Sequence, residues 1–196
     1  MKKIIYSIFI SLSFFVLTGC LIPEKFSASV KINADGSYSY RYEGITVFGP
    51  ALMEMAKSNN GGRSEIIDKR LQQEAIKFGK TSDVEKSEYV GNGRLDLRIA
   101  GERKVGQSLS LLDVLKVSKS NNGELAVSSV VVKPNDAVEL KKLGLKLDGK
   151  LEVTLPKNAE VIYTNATSKP GWFTSTYTWK VGSIDERPEI RIRLKP

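Results

Sequence analysis

The chain contains no histidine and only one cysteine, Cys20. Without histidine it lacks the most common general base and the most common metal ligand. One cysteine permits no intramolecular disulfide, and zinc sites of the usual Cys/His kind are excluded. Other signatures are missing too. There is no G-x-S-x-G elbow, no S-x-x-K in a strand-to-helix context and no G-x-x-x-x-G-K-[ST] phosphate loop. No block of five or more Lys/Arg residues occurs, so the electrostatic footprint of a nucleic-acid binder is absent. No internal repeat is found.

What is present is ordinary for a globular protein: 196 residues, 41% hydrophobic and 27% charged. That apolar content is higher than disorder allows. The formal charge of +8 is spread along the chain, which reads as a solvated surface with weak attraction to anionic lipid or polysaccharide.

The first twenty residues divide into three parts. Met1-Lys2-Lys3 is positively charged, residues 4–16 (IIYSIFISLSFFV) are apolar, and Leu17-Thr18-Gly19-Cys20 follows. The apolar part is shorter than the roughly 20 residues a membrane span needs, so the segment reads as a secretory signal. The LTGC tetrapeptide resembles the lipobox of bacterial lipoproteins. That resemblance implies cleavage between Gly19 and Cys20, a diacylglyceryl group on the Cys20 thiol and further acylation, such as palmitate, on the new amine. Two or three acyl chains anchor firmly, since each buried CH₂ contributes roughly 0.8 kcal/mol. Leu21 in place of aspartate implies sorting to the outer membrane, facing the periplasm, in a bacterium with two membranes. Lys2 and Lys3 leave with the signal, which takes the formal charge from +8 to +6.

The expected organisation is a signal peptide over 1–19, a lipidated N-terminus and short tether over 20–24, and one domain over 25–196. Phe26, Ala28, Val30 and Ile32 alternate with polar residues, as a half-buried strand does. Asn33-Ala34-Asp35-Gly36 is a hairpin turn, and Tyr38, Tyr40 and Tyr42 share one face of the returning strand. Pro50 opens a helix over 50–57. A second helix over 64–78 places Ile67, Leu71, Ala75 and Phe78 on one face. Strands are expected over 83–90 and 94–100, flanking Gly91-Asn92-Gly93, then over 125–132, 146–155, 161–165, 173–181 and 189–194. Residues 110–116 fit either a helical turn or a strand, and 134–143 a short helix. The fold class is α+β: a curved antiparallel β-sheet with an initial β-hairpin followed by two amphipathic helices packed on the sheet.

Two carboxylate clusters stand out, Asp83/Glu85/Glu88 and Asp185/Glu186/Glu189. Neither lies in the apolar setting that raises a pKa for acid catalysis, so both read as solvated faces. Asn33 to Ser37 is too short for a calcium loop. The aromatic stripes are the binding candidates: Tyr38/Tyr40/Tyr42 on one strand, and Phe173, Tyr177 and Trp179 on a late one. They read either as a plain core face or as a groove, part wet and part apolar, because a buried tyrosine hydroxyl wants a partner. Trp172, after Pro170-Gly171, falls on a loop.

The mature domain resembles the LppM-type domain of bacterial lipoproteins. The matching features are a cysteine shortly before a strand, the Asn33-Ala34-Asp35-Gly36-Ser37 turn, and the segment Gly149 to Pro156. Val161 and Tyr177-Thr178-Trp179 follow that segment. The middle of the chain is not covered. The resemblance implies a membrane-tethered module, with a lipid or glycolipid as ligand class and no catalytic residues to transfer. The chain therefore reads as a non-enzymatic envelope lipoprotein without cofactor or metal. Its partners are the membrane, through Cys20, and a lipid-like ligand held between helices and sheet. The alternative is a structural protein docking another envelope protein through an exposed apolar patch.

Overall fold

The computed structural model describes residues 21–57, 61–112, 114–120, 122–129, 138, 141–142, 144–171, 174–183 and 185–195. Gly19, Cys20, Trp172, Phe173 and most of the helix expected over 134–143 lie outside the described residues.

The chain opens with strand β1 (Leu21–Ile32), paired antiparallel with β2 (Tyr38–Phe48). Their turn closes as the sequence requires. Gly36 sits at φ 89, and one carboxylate oxygen of Asp35 accepts from both the Ser37 N–H (2.9 Å) and its hydroxyl (2.7 Å). Helices α1 (Gly49–Lys57) and α2 (Gly61–Phe78) follow. Then come the hairpin β3 (Val84–Gly91) and β4 (Arg94–Arg103), and the short β5 (Leu109–Leu111), β6 (Leu115–Lys119) and β7 (Leu125–Ser128). The chain ends with β8 (Asp148–Thr154), β9 (Ala159–Thr164), β10 (Thr176–Val181) and β11 (Glu189–Leu194). The ambiguous stretch 110–116 is a β5–β6 hairpin, with Leu112 turned at φ 49.

The α+β class, the opening hairpin and the two helices that follow it are all found. The strands form two sheets: a six-stranded one in the order β10-β8-β1-β2-β4-β3, and a five-stranded one in the order β5-β6-β7-β11-β9. The larger sheet is mixed, because β1 pairs with β8 in parallel. Short turns force antiparallel neighbours, but β1 and β8 are joined by most of the domain, and a long crossover is free to return the chain in the same direction.

The inward side chains of both sheets meet in one core. From the larger sheet come Phe26, Val30, Tyr42, Leu97, Val153 and Trp179; from the smaller, Val117, Val127, Ile190 and Ile192. Each such side chain contributes about 1.5–3 kcal/mol of burial. Helix α2 covers the β3–β4 end of the larger sheet. Ile67 and Leu71 pack with Ala51, Phe48, Met55 and Tyr89, and the Tyr89 hydroxyl bonds to Asp68. Two edges are interrupted. The register of β3 shifts at Val84/Lys86 and Tyr89/Gly91, and β9 skips Ile162 where β11 shifts at Arg191/Ile192. Such bulges blunt strand-to-strand association between molecules.

The tether expected over 20–24 is corrected. Leu21 to Glu24 already belong to β1, because Leu21 is buried opposite Phe48 and the Glu24 carboxylate accepts two hydrogen bonds from the Arg94 guanidinium (2.7 and 2.8 Å).

Candidate functional site

The tyrosine stripe is core, not groove. Tyr38, Tyr40 and Tyr42 are all buried on the inner face of β2. The Tyr38 hydroxyl donates to the Gln107 carbonyl (2.9 Å), and the Tyr40 hydroxyl to Asp83 (2.9 Å). Tyr42 stacks on Phe26, with ring centroids 6.0 Å apart, and its hydroxyl has no partner among the described residues. Burial, with the negative charge of Asp96 adding to it, pushes its pKa far upward, so it stays a neutral phenol. Of the second stripe, Trp179 is buried and donates its indole N–H to Asn165 (2.8 Å), while Tyr177 packs half-buried against the core. The space between the helices and the sheet is filled by Ala51, Ile67 and Leu71.

The carboxylate clusters are tied up in ion pairs and turns. Glu85 pairs with Arg41 (3.3 Å), Glu88 with Lys86 (3.1 Å), and Asp185 with Lys141. Glu186 accepts from the Gly182 N–H (2.8 Å). Asp83 is the most constrained. It sits at φ 72, accepts from Tyr40 and from Arg103 (2.9 Å), and Arg103 lies 5.0 Å over the Tyr40 ring. Gly101 makes room, since a Cβ there would lie 2.8 Å from the Tyr40 hydroxyl. The bonds from Arg103 and Tyr40 hold the Asp83 carboxyl below the usual range, and burial with the Asp83 bond pushes Tyr40 up to about 12. A depressed carboxylate stabilises the fold above its unfolded pKa of roughly 4 and loses that contribution as pH falls through the folded value. Wild type is therefore expected to lose melting temperature between pH 5 and pH 3 more steeply than Asp83→Asn, with both followed by circular dichroism; parallel slopes would remove Asp83 from this role.

The open depressions lie on the other side, on the outer face of the larger sheet. Strand alternation sends Lys25, Ser27, Ser29 and Lys31 outward from β1. The registers place Ser27 between Glu43 of β2 and Lys150 of β8, with Lys180 of β10 beyond Lys150. A depression of about 890 Å³ runs over this row. Gly44 and Gly149 flank Phe26 along its base, and Lys25, Glu43, Asp96, Asp148, Lys150, Thr178 and Lys180 line it. A second, of about 490 Å³, lies over Ser29, Ser39, Arg41, Ala100 and Thr154.

Three of the six charges here are neutralised locally. Arg98 holds Glu43 (2.9 Å), Lys86 holds Asp96 (2.6 Å) and Lys150 pairs with Glu152 (2.7 Å). Lys25, Lys180 and Asp148, which lies opposite Lys25 across the β1–β8 register, have no ion-pair partner among the described residues, and the hydroxyls of Ser27 and Thr178 sit in the same depression. Two ammonium groups and one carboxylate, unpaired among the described residues, with two hydroxyls over a glycine base suit a polar group that carries an anion or hydroxyls and not an acyl chain. Sequence reading passed over these residues because they form the polar half of the alternation. Their only signal was that the solvent side of β1 carries serine between lysines.

No protein-family model matches the sequence, and comparison with characterised proteins returns no match. Among solved structures, the folded domain of LppM from Mycobacterium tuberculosis aligns with 90% of this chain and 93% of its own, at a TM-score of 0.42 and 13% identity. At that level the likeness is one of overall outline and carries no functional weight.

Proposed function

We propose that this chain is a lipid-anchored protein of the bacterial envelope, held by acylated Cys20 and sorted to the outer membrane. On this reading it is not an enzyme. It is a binding module whose recognition surface is the outer face of the larger sheet, and its ligand is the polar headgroup of an envelope lipid or glycolipid. The observation that carries this is the 890 Å³ depression in which Lys25 and Lys180, unpaired among the described residues, lie beside Ser27 and Thr178 and outnumber the one unpaired carboxylate, Asp148. An acyl chain in the helix–sheet interface is not part of the proposal, since that space is filled.

The test is titration of the mature domain with short-chain phosphatidylglycerol, followed by calorimetry. Double charge reversal, Lys25→Glu with Lys180→Glu, is expected to weaken binding by about tenfold or more, about 1.4 kcal/mol. Both side chains are solvent-facing, so folding should be unaffected. No binding by wild type, or equal binding by the double variant, would sink the proposal.

A further inference from the structure

We infer that the end of the domain carrying Leu21 is a second membrane contact, seated in the headgroup layer of the bilayer that holds the anchor. This rests on the reading of Cys20 as the acylated residue and adds a surface to it.

Consecutive Cα atoms are about 3.8 Å apart, so the residue carrying the acyl chains lies within one peptide unit of Leu21. Leu21 is not free to move away. It is buried and paired with Phe48 at the end of β2. The same level of the sheet holds the β3–β4 turn, because the Phe48 N–H bonds to the Gly93 carbonyl (2.8 Å) and Val47 faces Arg94. Strands lie about 4.8 Å apart, which puts this turn within roughly 15 Å of the anchor and level with it. No slack separates anchor from fold, so the surface at this end meets the lipid.

Its chemistry fits that place. Val90, in the β3 bulge beside the turn, is 47% exposed, and Ile66, next to the buried Ile67 of the helix cluster here, is 70% exposed. Lys146, flanked by Leu145 and Leu147 packed beside Ile22, carries no ion-pair partner among the described residues. Exposed aliphatic side chains with lysine beside them are what an interfacial surface presents. The opposite end lies one β2 length away, about 35 Å. There Val105 is equally exposed, at 53%, beside the Gly36 turn.

The experiment uses the mature lipoprotein purified from membranes and reconstituted into phosphatidylethanolamine–phosphatidylglycerol vesicles. Val90→Cys and Val105→Cys each offer a unique thiol for a fluorophore, since the Cys20 sulfur is alkylated. Lipids spin-labelled at the headgroup are expected to quench the label at 90 about threefold more than at 105. Equal quenching at both sites in vesicle-bound protein would overturn the orientation alone. Protein with unmodified mass that fails to bind vesicles would overturn the acylation reading and the orientation with it.

Discussion

Trp179→Ala is expected to cost the domain about 4 kcal/mol of unfolding free energy, the range for deleting a buried aromatic side chain. Trp179 is 3% exposed on β10, an edge strand of the larger sheet. Its indole N–H donates to the Asn165 side-chain oxygen, which also accepts from the Glu189 N–H (2.8 Å), while the Asn165 amide donates to the Arg187 carbonyl (2.7 Å). Asn165 and Glu189 belong to the smaller sheet's end, so the indole fastens one sheet to the other. Trp179→Phe keeps most of the packing but strands the Asn165 oxygen with one donor, and should cost about half as much. Urea unfolding of both variants checks this. A loss below about 1 kcal/mol for Trp179→Ala would mean that the junction is not made by this residue.

The second large effect is expected at Gly44, opposite Phe26 in the middle of β2. Its φ of 155 is open to glycine alone, and a Cβ there would lie 2.2 Å from the Lys25 carbonyl oxygen and 2.6 Å from the Phe26 Cα. Those are backbone atoms of a central strand and have nowhere to retreat. Gly44→Ala should therefore cost on the order of 3–5 kcal/mol and prevent folding of a marginal domain. Gly149 provides the contrast. A Cβ there meets the Phe26 ring, at 2.1 Å, and a ring can swing at the expense of its stacking on Tyr42. Gly149→Ala should be the milder of the two by urea unfolding, and the reverse order would show that Phe26 is held more rigidly than its backbone.

The parts of this fold legible in the sequence are those written in local pattern. Phe26 to Ile32 alternate because one face of β1 is core and the other solvent. Asp35-Gly36 marks its turn through a carboxylate cap and a left-handed φ, and Ile67, Leu71 and Ala75 recur at the helical period. Periodicity cannot report partners far along the chain. The parallel match of β1 with β8 depends on Val30 finding Val153 and Ala28 finding Leu151, which no spacing announces. The division into two sheets was hidden for the same reason. The candidate site was the least legible part. Lys25, Lys150 and Lys180 come from three segments and become neighbours only through two registers, whereas the tyrosines that looked like a ligand face are the packing of β2. The tether misread at Leu21 to Glu24 has its own cause. Pro23 and Glu24 are poor strand residues, and what keeps them in place is the pairing of Leu21 to Pro23 with β2 and the fork of Glu24 with Arg94 on β4, both across the sheet.

The parallel pairing of β1 and β8 also has a consequence in time. If the chain is exported as proposed, it emerges from its amino end, so β1 and β2 are available first and can close as a hairpin. The other edge of β1 stays open until Asp148 to Thr154 have emerged, because no earlier described strand pairs there. Contacts of such sequence separation form slowly. For that interval an acylated chain would hold an unpaired strand edge, with Ala28, Val30 and Ile32 beside it, at a crowded membrane surface. Assembly of this protein is thus most exposed to error between the arrival of β1 and that of β8, and, on the proposed envelope placement, that is the window in which a periplasmic holdase would have something to protect.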